Sequence, residues 1–332
     1  MSVTIKDVAK AAGVSVATVS RVLNGSANVS ESAAEAVNKT IKELHYSPNF
    51  LGRNLRKRET NVILVIQPAS VHSLYAEIVA GLQEGALRHG YDIISSTTNG
   101  LSEIENRQMS MLYNRTVDGA VLLGTHSDAE TLNKLAQNYD IALCCEGVKG
   151  ANVLTVTVND EQAGYDAVSA LIKKGHKKIA IISTESTALS SIQRYDGYIR
   201  ALTEHNIPVR EEYIYKGSYD YDNGEKALKQ FMALDDKPTA VFAVSDLLAI
   251  SAINASYDMG IEVGKDIAIM GFDNISLCNM FIPSVSTVSQ PCKEMGIFTI
   301  EKLISNITSN EKDTKHYSIP HEVILRASTG DK

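Results

Sequence analysis

From about residue 61 onward, short apolar runs alternate with longer stretches in which apolar residues recur every three or four positions. The short runs are typical of buried strands, and the longer stretches are typical of amphipathic helices. The predicted strands are VILVI, YDIISST, VDGAVLLG, IALCC, LTVTV, KIAIIS, YIYKG, TAVFAV and DIAIMGF. The predicted helices lie near residues 75–89, 103–115, 128–138, 161–174, 190–205, 222–234 and 246–259. This alternation predicts parallel sheets with helices on both faces, and so many strands predict two similar lobes rather than one sheet.

The first 45 residues show only the helical spacing. Thr4 and Asp7 have the spacing of a capping box, Gly13 supplies a permissive turn, and Ser15 and Ser30 begin a second and a third helix. The residues predicted to face inward are Ile5, Val8, Ala9, Val19, Val22, Leu23, Ala33, Val37, Ile41 and Leu44. Short helices whose first two members are joined by a tight turn predict a helix-turn-helix.

The second helix of such a motif enters the DNA major groove. Its predicted outward residues are Val16, Ala17 and Arg21, with Ser15, Thr18 and Ser20 at the flanks. An arginine can bind guanine O6 and N7 together, small apolar side chains can contact thymine methyl groups, and hydroxyls suit phosphates. In the alternative interpretation, the hydroxyls only cap the helix and Arg21 is merely solvated.

The segment that follows is short and basic. Leu51 and Leu55 share a helical face, whereas Arg53, Arg56, Lys57 and Arg58 are cationic. About ten residues are too few for a stable isolated helix, so this segment is expected to fold when it docks on DNA. Residues 1–58 carry a net charge of +5, whereas the other 274 residues carry −12. A basic head on an acidic body indicates that only the head meets an anionic polymer.

The stretch TIKDVAKAAGVSVATVSRVLNGSANVSESAAEAVNKTIKELHYSPN closely resembles the DNA-binding headpiece of LacI/GalR-family transcription regulators. The resemblance implies an all-α helix-turn-helix headpiece at 1–46 and a hinge helix with its linker at 47–60. It also implies a dimer on a pseudo-palindromic operator, with Leu55 wedged into the central base step. The candidate DNA contacts are Thr4, Ser15, Val16, Ala17, Thr18, Ser20, Arg21, Asn24, Tyr46, Asn49, Arg53, Leu55, Arg56 and Lys57.

Polar and aromatic residues follow many of the predicted strands. Ligands of parallel sheets bind beyond the carboxyl ends of the strands, where these side chains should converge. The residues at these ends are Leu74, Tyr75, Thr125, His126, Glu146, Ser190 to Arg194, Tyr219, Ser245, Asp246, Asp273 and Asn274. This mixture suits a polyol or sugar. Any one of them could instead be a helix cap, and Ser245 and Asp246 sit where N-caps sit.

The body resembles the periplasmic-binding-protein-like core of the same family, through landmarks such as GHKKIAII, RYDGY, KPTAVFAVSD and STVSQP. The resemblance implies two doubly wound parallel-sheet lobes within 61–332. Lobe one would span about 61–159 and 292–321, and lobe two about 160–290 and 322–330. It implies effector contacts at Leu74, Tyr75, Glu146, Ser190, Arg194, Tyr219, Ser245, Asp246 and Asp273. Glu146 stands where the family often has Asp, which makes that contact less secure.

The favoured function is therefore a DNA-binding transcriptional regulator, most often a repressor in this family, switched by a sugar or sugar phosphate. A second hypothesis is a catabolite-control-type regulator whose corepressor is the serine-phosphorylated carrier HPr. That subfamily has basic residues where this chain has Glu301 and Ser305, which is unfavourable for phosphoserine. A third class, a sugar receptor or an enzyme, is disfavoured by the basic head and by the absence of HExxH, GxSxG and GxGxxG motifs.

No cofactor or metal site is predicted, because the eight His residues lack ligand spacing. Cys144 and Cys145 are expected to be buried apolar residues rather than disulfide or metal ligands. No apolar run of 18 residues occurs, and the N-terminus lacks the apolar region of a signal peptide, so we expect a cytoplasmic protein without membrane contact. Leucine heptads do not follow VILRAST, which favours a homodimer over a tetramer.

Overall fold

The computed structural model describes residues 3–23, 28–46, 59–68, 73–309 and 311–331. The chain divides into two compact units, Met1–Glu59 and Thr60–Lys332. Within the described ranges, no helix is both long and apolar enough to cross a membrane. The apolar pattern predicts most elements of each unit, but not the strands and the long helix that follow residue 285. The two units are described separately below.

The described residues of the first unit form three helices: α1 (Ile5–Ala11), α2 (Val16–Leu23) and α3 (Glu31–Glu43). Val8, Ala9, Val19 and Val37 form its buried core. The capping box of α1 is confirmed, since the Asp7 carboxylate accepts hydrogen bonds from the Thr4 N–H (2.9 Å) and the Thr4 hydroxyl (2.7 Å). Gly13 has a φ of +67°, which a residue without a Cβ adopts at little cost, and this allows the tight turn between α1 and α2.

Lobe one of the second unit is a six-stranded sheet with the order β11-β5-β4-β3-β1-β2, in which every paired strand is parallel. Its strands are β1 (Val62–Gln67), β2 (Asp92–Thr97), β3 (Gly119–Leu122), β4 (Asp140–Cys144), β5 (Leu154–Thr157) and β11 (His316–Ser318). Its helices are α4 (Ser73–Arg88), α5 (Ser102–Tyr113), α6 (Ala129–Ala136) and α11 (Cys292–Thr308).

Lobe two is a second six-stranded sheet with the order β12-β10-β9-β8-β6-β7. Its strands are β6 (Ile179–Thr184), β7 (Ile214–Gly217), β8 (Ala240–Ala243), β9 (Ala268–Asp273), β10 (Ser286–Ser289) and β12 (Glu322–Ile324). Its helices are α7 (Asp160–Lys173), α8 (Leu189–Glu204), α9 (Asp222–Met232) and α10 (Asp246–Asp258). The prediction of two α/β lobes with helices between the strands is confirmed.

One strand departs from the predicted parallel arrangement. β12 pairs antiparallel with β10, with Val323 opposite Val288. The chain reaches this edge strand directly from β11 in lobe one, with no helix between the two strands. It passes between the lobes three times: between β5 and α7, between β10 and α11, and between β11 and β12.

Alternate residues of β1 pack on opposite faces of the lobe-one sheet. Ile63 and Val65 belong to the cluster that includes residues of α4 and α11, whereas Leu64 and Ile66 belong to the cluster that includes residues of α5 and α6. All four side chains are fully buried. A strand covered on both faces needs apolar residues at every position, which explains why the run VILVI is continuous rather than alternating.

Helices α4 and α11 approach so closely that glycine is required at their contact. A Cβ added at Gly296 would overlap the carbonyl oxygen of Ile78, and one added at Gly81 would overlap the carbonyl oxygen of Lys293. Backbone atoms cannot yield as the end of a flexible side chain can. These glycines therefore set the distance between the two helices that cover one face of lobe one.

We expect Gly296→Ala to lower the free energy of unfolding by about 2 kcal/mol, because the added methyl group forces α11 away from α4. Ser305→Ala provides a matched control, since Ser305 is exposed on the same helix and should shift stability by less than about 0.5 kcal/mol. Urea unfolding followed by circular dichroism gives both values. Equal stability of the two variants would contradict the close approach of the helices.

Candidate functional site

The outward face of α2 carries the residues predicted to read DNA. Val19 is fully buried on one side of the helix, while Val16 is 41% exposed and Ala17 and Arg21 are also exposed. Arg21 makes no ion pair with any described residue. A cation held next to two small apolar side chains on one exposed helical face has the composition that major-groove contacts use.

The hydroxyls around α2 have local partners. The Ser15 Oγ accepts a hydrogen bond from the Thr18 N–H (3.1 Å) and lies 2.9 Å from the Thr18 Oγ1, so the prediction that Ser15 caps α2 is confirmed. The Thr4 hydroxyl acts differently, since it donates to the Asp7 carboxylate (2.7 Å) at the start of α1. Ser20 is half-buried. Tyr46 packs against the buried core of the first unit, and its backbone N–H donates to the Ile41 carbonyl (3.0 Å). The other predicted DNA contacts, Asn24, Asn49, Arg53, Leu55, Arg56 and Lys57, lie outside the described residues.

In the second unit, the predicted effector residues converge around Arg194 on α8. Its guanidinium donates to the Asp160 Oδ1 (2.8 Å) and to the Val244 carbonyl (2.8 Å), and it lies 3.4 Å from the Asp273 Oδ1. The same group stacks on the Phe272 ring, 3.6 Å from its centroid. Arg194 is only 4% exposed. A buried cation fixed by two carboxylates and a ring is a rigid, oriented donor.

Asp273 ends β9 at the point where ligands of parallel sheets bind. Its φ of +115° is unusual for a residue with a side chain and marks local backbone strain. The Asp273 Oδ1 accepts a hydrogen bond from the Gln290 amide (2.7 Å), and Gln290 lies on the second passage between the lobes. Burial raises the pKa of Asp273 to about 6, although the Arg194 guanidinium opposes that shift.

Glu146 and Ser190 join the two lobes directly. Glu146 follows β4 in lobe one, and its carboxylate accepts hydrogen bonds from the Ser190 N–H (3.1 Å) and the Ser190 hydroxyl (2.5 Å) at the start of α8 in lobe two. Burial raises the pKa of Glu146. One carboxylate therefore connects lobe one with lobe two at the cleft.

Two phenol groups complete the lining. The Tyr219 hydroxyl lies 2.6 Å from the Ser191 hydroxyl. Leu74 and Tyr75, at the start of α4, pack against the core of lobe one. The pKa of Tyr75 is raised, chiefly by burial and then by the nearby Cys145, Asp273 and Glu146, which places the phenol close to the carboxylates of the cleft.

Ser245 and Asp246 lie deeper than the other predicted residues. Ser245 is the N-cap of α10 and accepts a hydrogen bond from the Leu248 N–H. Asp246 is fully buried, and its carboxylate accepts hydrogen bonds from the Ile275 N–H (2.9 Å) and the Thr287 hydroxyl (2.6 Å). Burial, followed by the neighbouring Asp273, raises the pKa of Asp246 to about 7. This geometry indicates that Asp246 holds the loop after β9 rather than presenting an open oxygen to the cleft.

The sequence interpretation missed the partners that fix the central residues. Asp160 and Gln290 hold Arg194 and Asp273, yet neither was among the predicted effector contacts. Both lie where the chain leaves one lobe for the other, and this position was the available signal. Thr125 and His126 follow β3 and bond to Glu105 of α5, through the Thr125 hydroxyl (2.5 Å) and the His126 N–H (2.9 Å).

Metal chemistry has no support in the described residues, which contain no group of three or more His, Cys, Asp or Glu side chains placed to hold an ion. All four cysteines are buried and form no disulfide, and the predicted burial of Cys144 and Cys145 is confirmed. The cleft offers carboxylates, one guanidinium, hydroxyls and phenol rings. Such a lining can make several hydrogen bonds to one small polar molecule and stack against its apolar face.

The chain matches two family models in consecutive segments. Residues 4–49 match the model of bacterial regulatory proteins of the lacI family, and residues 60–327 match the model of periplasmic binding proteins and the sugar binding domain of the LacI family. Catabolite control protein A of Priestia megaterium is 35% identical over 99% of this chain and 100% of that protein. The HTH-type transcriptional repressor PurR of Vibrio atlanticus (strain LGP32) is 32% identical over 98% of each chain.

Solved structures agree with this assignment. The transcriptional regulator CelR in its cellobiose complex has a TM-score of 0.75 and 28% identity, covering 98% of this chain and 99% of that one. The lac repressor dimer bound to operator and the anti-inducer ONPF has a TM-score of 0.89 at 23% identity, with 99% of each chain covered, and shows the shared fold. The chain belongs to the LacI family. It is a DNA-binding transcriptional regulator with an effector-binding domain.

The buried carboxyl of Asp246 gives a testable pH dependence. Because its pKa of about 7 in the folded protein exceeds the ordinary value of 3.8, the folded state holds its proton longer than the unfolded chain does. The contribution of Asp246 to stability therefore falls as the pH rises from about 4 through 7. We expect the unfolding free energy of the native protein, relative to Asp246→Asn, to fall by about 2 kcal/mol between pH 5 and pH 8.

Urea unfolding of both proteins at several pH values measures this difference. Asp236→Asn serves as the comparison, because Asp236 is a half-exposed carboxylate whose pKa is lowered by Lys178 and Arg210. The difference in unfolding free energy between the native protein and Asp236→Asn should change with pH only at lower pH than the difference for Asp246→Asn. A native-minus-variant difference for Asp246 that stays constant or grows with pH would show that the buried carboxyl is not protonated in the folded state.

Proposed function

We propose that this regulator represses carbohydrate-utilisation genes from the cytoplasm, binding a pseudo-palindromic operator as a homodimer and responding to a small sugar-type effector. We further propose 1–46 as the DNA-binding domain, 47–60 as the hinge helix and linker, and 61–332 as the effector-binding core. The observation that carries the proposal is the buried Arg194, bonded to Asp160 and close to Asp273 at the carboxyl edge of the lobe-two sheet. Catalysis, a cofactor and a metal form no part of it.

The exposed face of α2 supports the DNA-binding half of the proposal. Arg21 lies free of described ion pairs beside Val16 and Ala17, and it can be bidentate to a guanine. The hydroxyls of Ser15 and Thr18 bond to each other at the start of α2, and this leaves one O–H of the pair free to donate to a phosphate. Phosphate contacts of this kind position the helix, and Arg21 specifies sequence.

The composition of the cleft supports a sugar-type effector. Arg194, Asp273 and Glu146 can each bond to hydroxyl groups, and Tyr75 and Tyr219 can cover an apolar ring face. Leu74 and Ser190 adjoin these groups at the starts of α4 and α8. The relative CelR was solved as a cellobiose complex, and this favours the same ligand class here. We assign Ser245 and Asp246 the role of supporting this site from beneath.

The contact between Glu146 and Ser190 supports a switch that works by lobe movement. An effector that inserts beside Arg194 must compete with or extend this interlobe contact, and so it changes the relative energies of the open and closed cleft. Effector and operator are then linked, because each ligand shifts the equilibrium by its own difference in affinity for the two states. The effector weakens operator binding if the dimer on DNA adopts the state that the effector disfavours, and it strengthens operator binding in the opposite case.

Exposed apolar residues on lobe two support a dimer. In the loop before β10, Met280 is 72% exposed, Ile282 is 94% exposed and Leu277 is 40% exposed. Large apolar side chains that lie so close together in the chain and remain in water are typical of surfaces buried in an assembly. Two copies are also what a pseudo-palindromic operator requires.

The alternative is a catabolite-control-type regulator that uses serine-phosphorylated HPr as its corepressor. The 35% identity with catabolite control protein A favours it. The surface of α11 argues against it. The Glu301 Oε1 lies 3.2 Å from the Arg88 guanidinium, which also pairs with Glu84, and Ser305 carries no charge. A surface whose cations are already paired with carboxylates offers little to a phosphoserine. Retention of phosphorylated HPr on the immobilised protein would favour this alternative.

The experiment that tests the function is selection of genomic fragments by the purified full-length protein, with and without a panel of sugars and sugar phosphates. We expect enrichment of a near-palindrome with a central CG step beside sugar-uptake genes, altered by one sugar-type compound. Enrichment only with phosphorylated HPr would favour the alternative. Enrichment of no fragment under any of these conditions would contradict the proposal.

Arg21 and Lys57 should contribute to DNA binding in different ways. Arg21→Ala should weaken operator binding by about 1–3 kcal/mol and relax the preference at one base pair, because it removes a base-reading group. Lys57→Ala should weaken binding to all sequences and reduce the dependence on salt concentration, because it removes a phosphate contact. Fluorescence anisotropy on operator and on scrambled DNA measures both. Identical behaviour of the two variants would refute the division of roles.

Asp273 and Asp246 should differ in their effect on the effector. Asp273→Asn should weaken binding of the sugar found in the selection by at least tenfold, since it removes the carboxylate that faces Arg194 and Gln290. Asp246→Asn should change that affinity by less than threefold, because its carboxylate is bonded to Ile275 and Thr287. Isothermal titration gives both affinities. The reverse order would place Asp246, and not Asp273, in contact with the ligand.

A further inference from the structure

The point where the linker enters lobe one is held by a single carboxylate. Thr60 and Asn61 directly precede β1, and Asp118 directly precedes β3, the strand that pairs with β1. The Asp118 carboxylate accepts hydrogen bonds from the Thr60 N–H (2.8 Å), the Thr60 hydroxyl (2.9 Å) and the Asn61 N–H (2.7 Å). Hydrogen bonds to an ionised acceptor are stronger than those between neutral groups. Asp118 therefore fastens the end of the linker to the sheet of lobe one.

The backbone at this point also has a fixed direction. Asn61 has a φ of +54°, in the left-handed region that asparagine tolerates better than most residues. Its carbonyl accepts a hydrogen bond from the Asp92 N–H (2.8 Å), while its own N–H is bonded to Asp118. The Asp118 N–H in turn donates to the Val62 carbonyl (2.8 Å). Bonds on both sides of Asn61 hold its unusual conformation, so they fix the direction in which the chain enters β1.

β1 connects this point with the interior of lobe one. The strand is fully buried from Ile63 to Ile66, and it pairs with β2 on one side and β3 on the other. Its carboxyl end lies at the edge of the sheet where the effector cleft forms. A buried strand that is bonded on both sides belongs to the most stable part of a domain and does not shift alone. A rotation of lobe one therefore moves the end of the linker by the same amount.

We propose that Asp118 is a positioning residue for DNA binding, which fixes the point and the direction in which the linker leaves lobe one. This role rests on the proposed function, in which a homodimer places two DNA-binding domains on the two halves of one operator. Once the first domain is bound, the second binds intramolecularly, at an effective concentration that depends on the linkers. A linker with a fixed origin keeps the second domain near its half of the operator. Asp118 therefore favours binding to a complete operator over binding to half of one.

Hydrogen exchange measured by mass spectrometry tests the anchor without DNA. Asp118→Asn replaces one acceptor oxygen by an amide that cannot accept, so the amides of Thr60 and Asn61 should exchange about tenfold faster than in the native protein. Asp92→Asn is the matched control, because it removes the same charge from an exposed side chain at the same edge of the sheet. It should change this exchange by less than about twofold. Unchanged exchange in Asp118→Asn would overturn the proposal.

Binding to two DNA duplexes tests the role of the anchor. The probes are the near-palindrome recovered in the genomic selection and the same duplex with one half scrambled. Asp118→Asn should bind the complete palindrome about fivefold more weakly than the native protein, and the half-scrambled duplex within about twofold. The loss of a negative charge alone would strengthen binding to both duplexes, which is the result expected for Asp92→Asn. Equal affinity of Asp118→Asn and the native protein for the palindrome, or equal losses on both duplexes, would overturn the proposal.

Thr60→Val changes the same contact from the linker side and provides a second variant if Asp118→Asn fails to fold, which thermal melting shows. It removes the hydroxyl donor and keeps both N–H groups, so it should weaken binding to the palindrome by about threefold. The double variant should bind less than about twofold more weakly than Asp118→Asn, because both changes act on one contact. Fully additive losses would contradict this assignment.

The failure of this proposal differs from that of the proposed function. Recovery of no palindrome in the selection would contradict the proposed function and, with it, the role of Asp118 in DNA binding. A palindrome that Asp118→Asn and the native protein bind equally well would contradict only the role of Asp118. The exchange measurement decides in either case whether Asp118 anchors the linker.

Discussion

The ion pairs of Arg194 are the constraint on which the effector domain depends. One guanidinium on α8 binds Asp160 at the first passage between the lobes, the end of β8 through Val244, and Asp273 at the end of β9. A buried cation is tolerated only when such partners surround it, and the removal of any of them leaves an unpaired charge at a cost of several kcal/mol. The carboxyl ends of β8 and β9 must therefore both lie next to Arg194. Their alignment at this edge of the sheet forms the floor of the cleft.

The same arrangement explains the unusual state of the acids. Asp273 and Asp246 lie near each other in a buried region, and the only cation within reach of Asp273 among the described residues is Arg194, which already binds Asp160. Burial therefore raises the pKa of Asp273 to about 6 and that of Asp246 to about 7. The buried region therefore contains more carboxyl groups than cations, and hydroxyl groups of a ligand can supply hydrogen bonds that the cations do not. A polar ligand that donates hydrogen bonds would stabilise the Asp273 carboxylate, which connects the electrostatics of the cleft with the class of effector.

Much of the fold could be predicted because each core strand is a continuous apolar run flanked by a periodic helix. The short strands β11 and β12 could not, since HYS and EVI have no such pattern and owe their structure to pairing with β5 and β10 far away in the chain. Within the site, Arg194 and Asp273 follow strands and were found by that rule. Asp160 and Gln290 act through contacts made between distant segments, and no local pattern marks these contacts. The burial of Asp246 could not be predicted either, because a helix cap has the same sequence whether it faces a ligand or the core.

The three passages between the lobes share one further feature. Each is fastened by a polar contact at or next to the passage: Thr157 lies 2.7 Å from the His316 Nε2, Gln290 donates to Asp273, and His321 lies 2.9 Å from Asp166. Polar contacts of this kind are directional, so they limit where the chain can bend and confine rotation to the few residues between them. One of the three, the bond from Gln290 to Asp273, joins a passage to the cleft. A ligand that bonds to Asp273 therefore acts beside a passage between the lobes, where a small displacement can alter the relative position of the lobes.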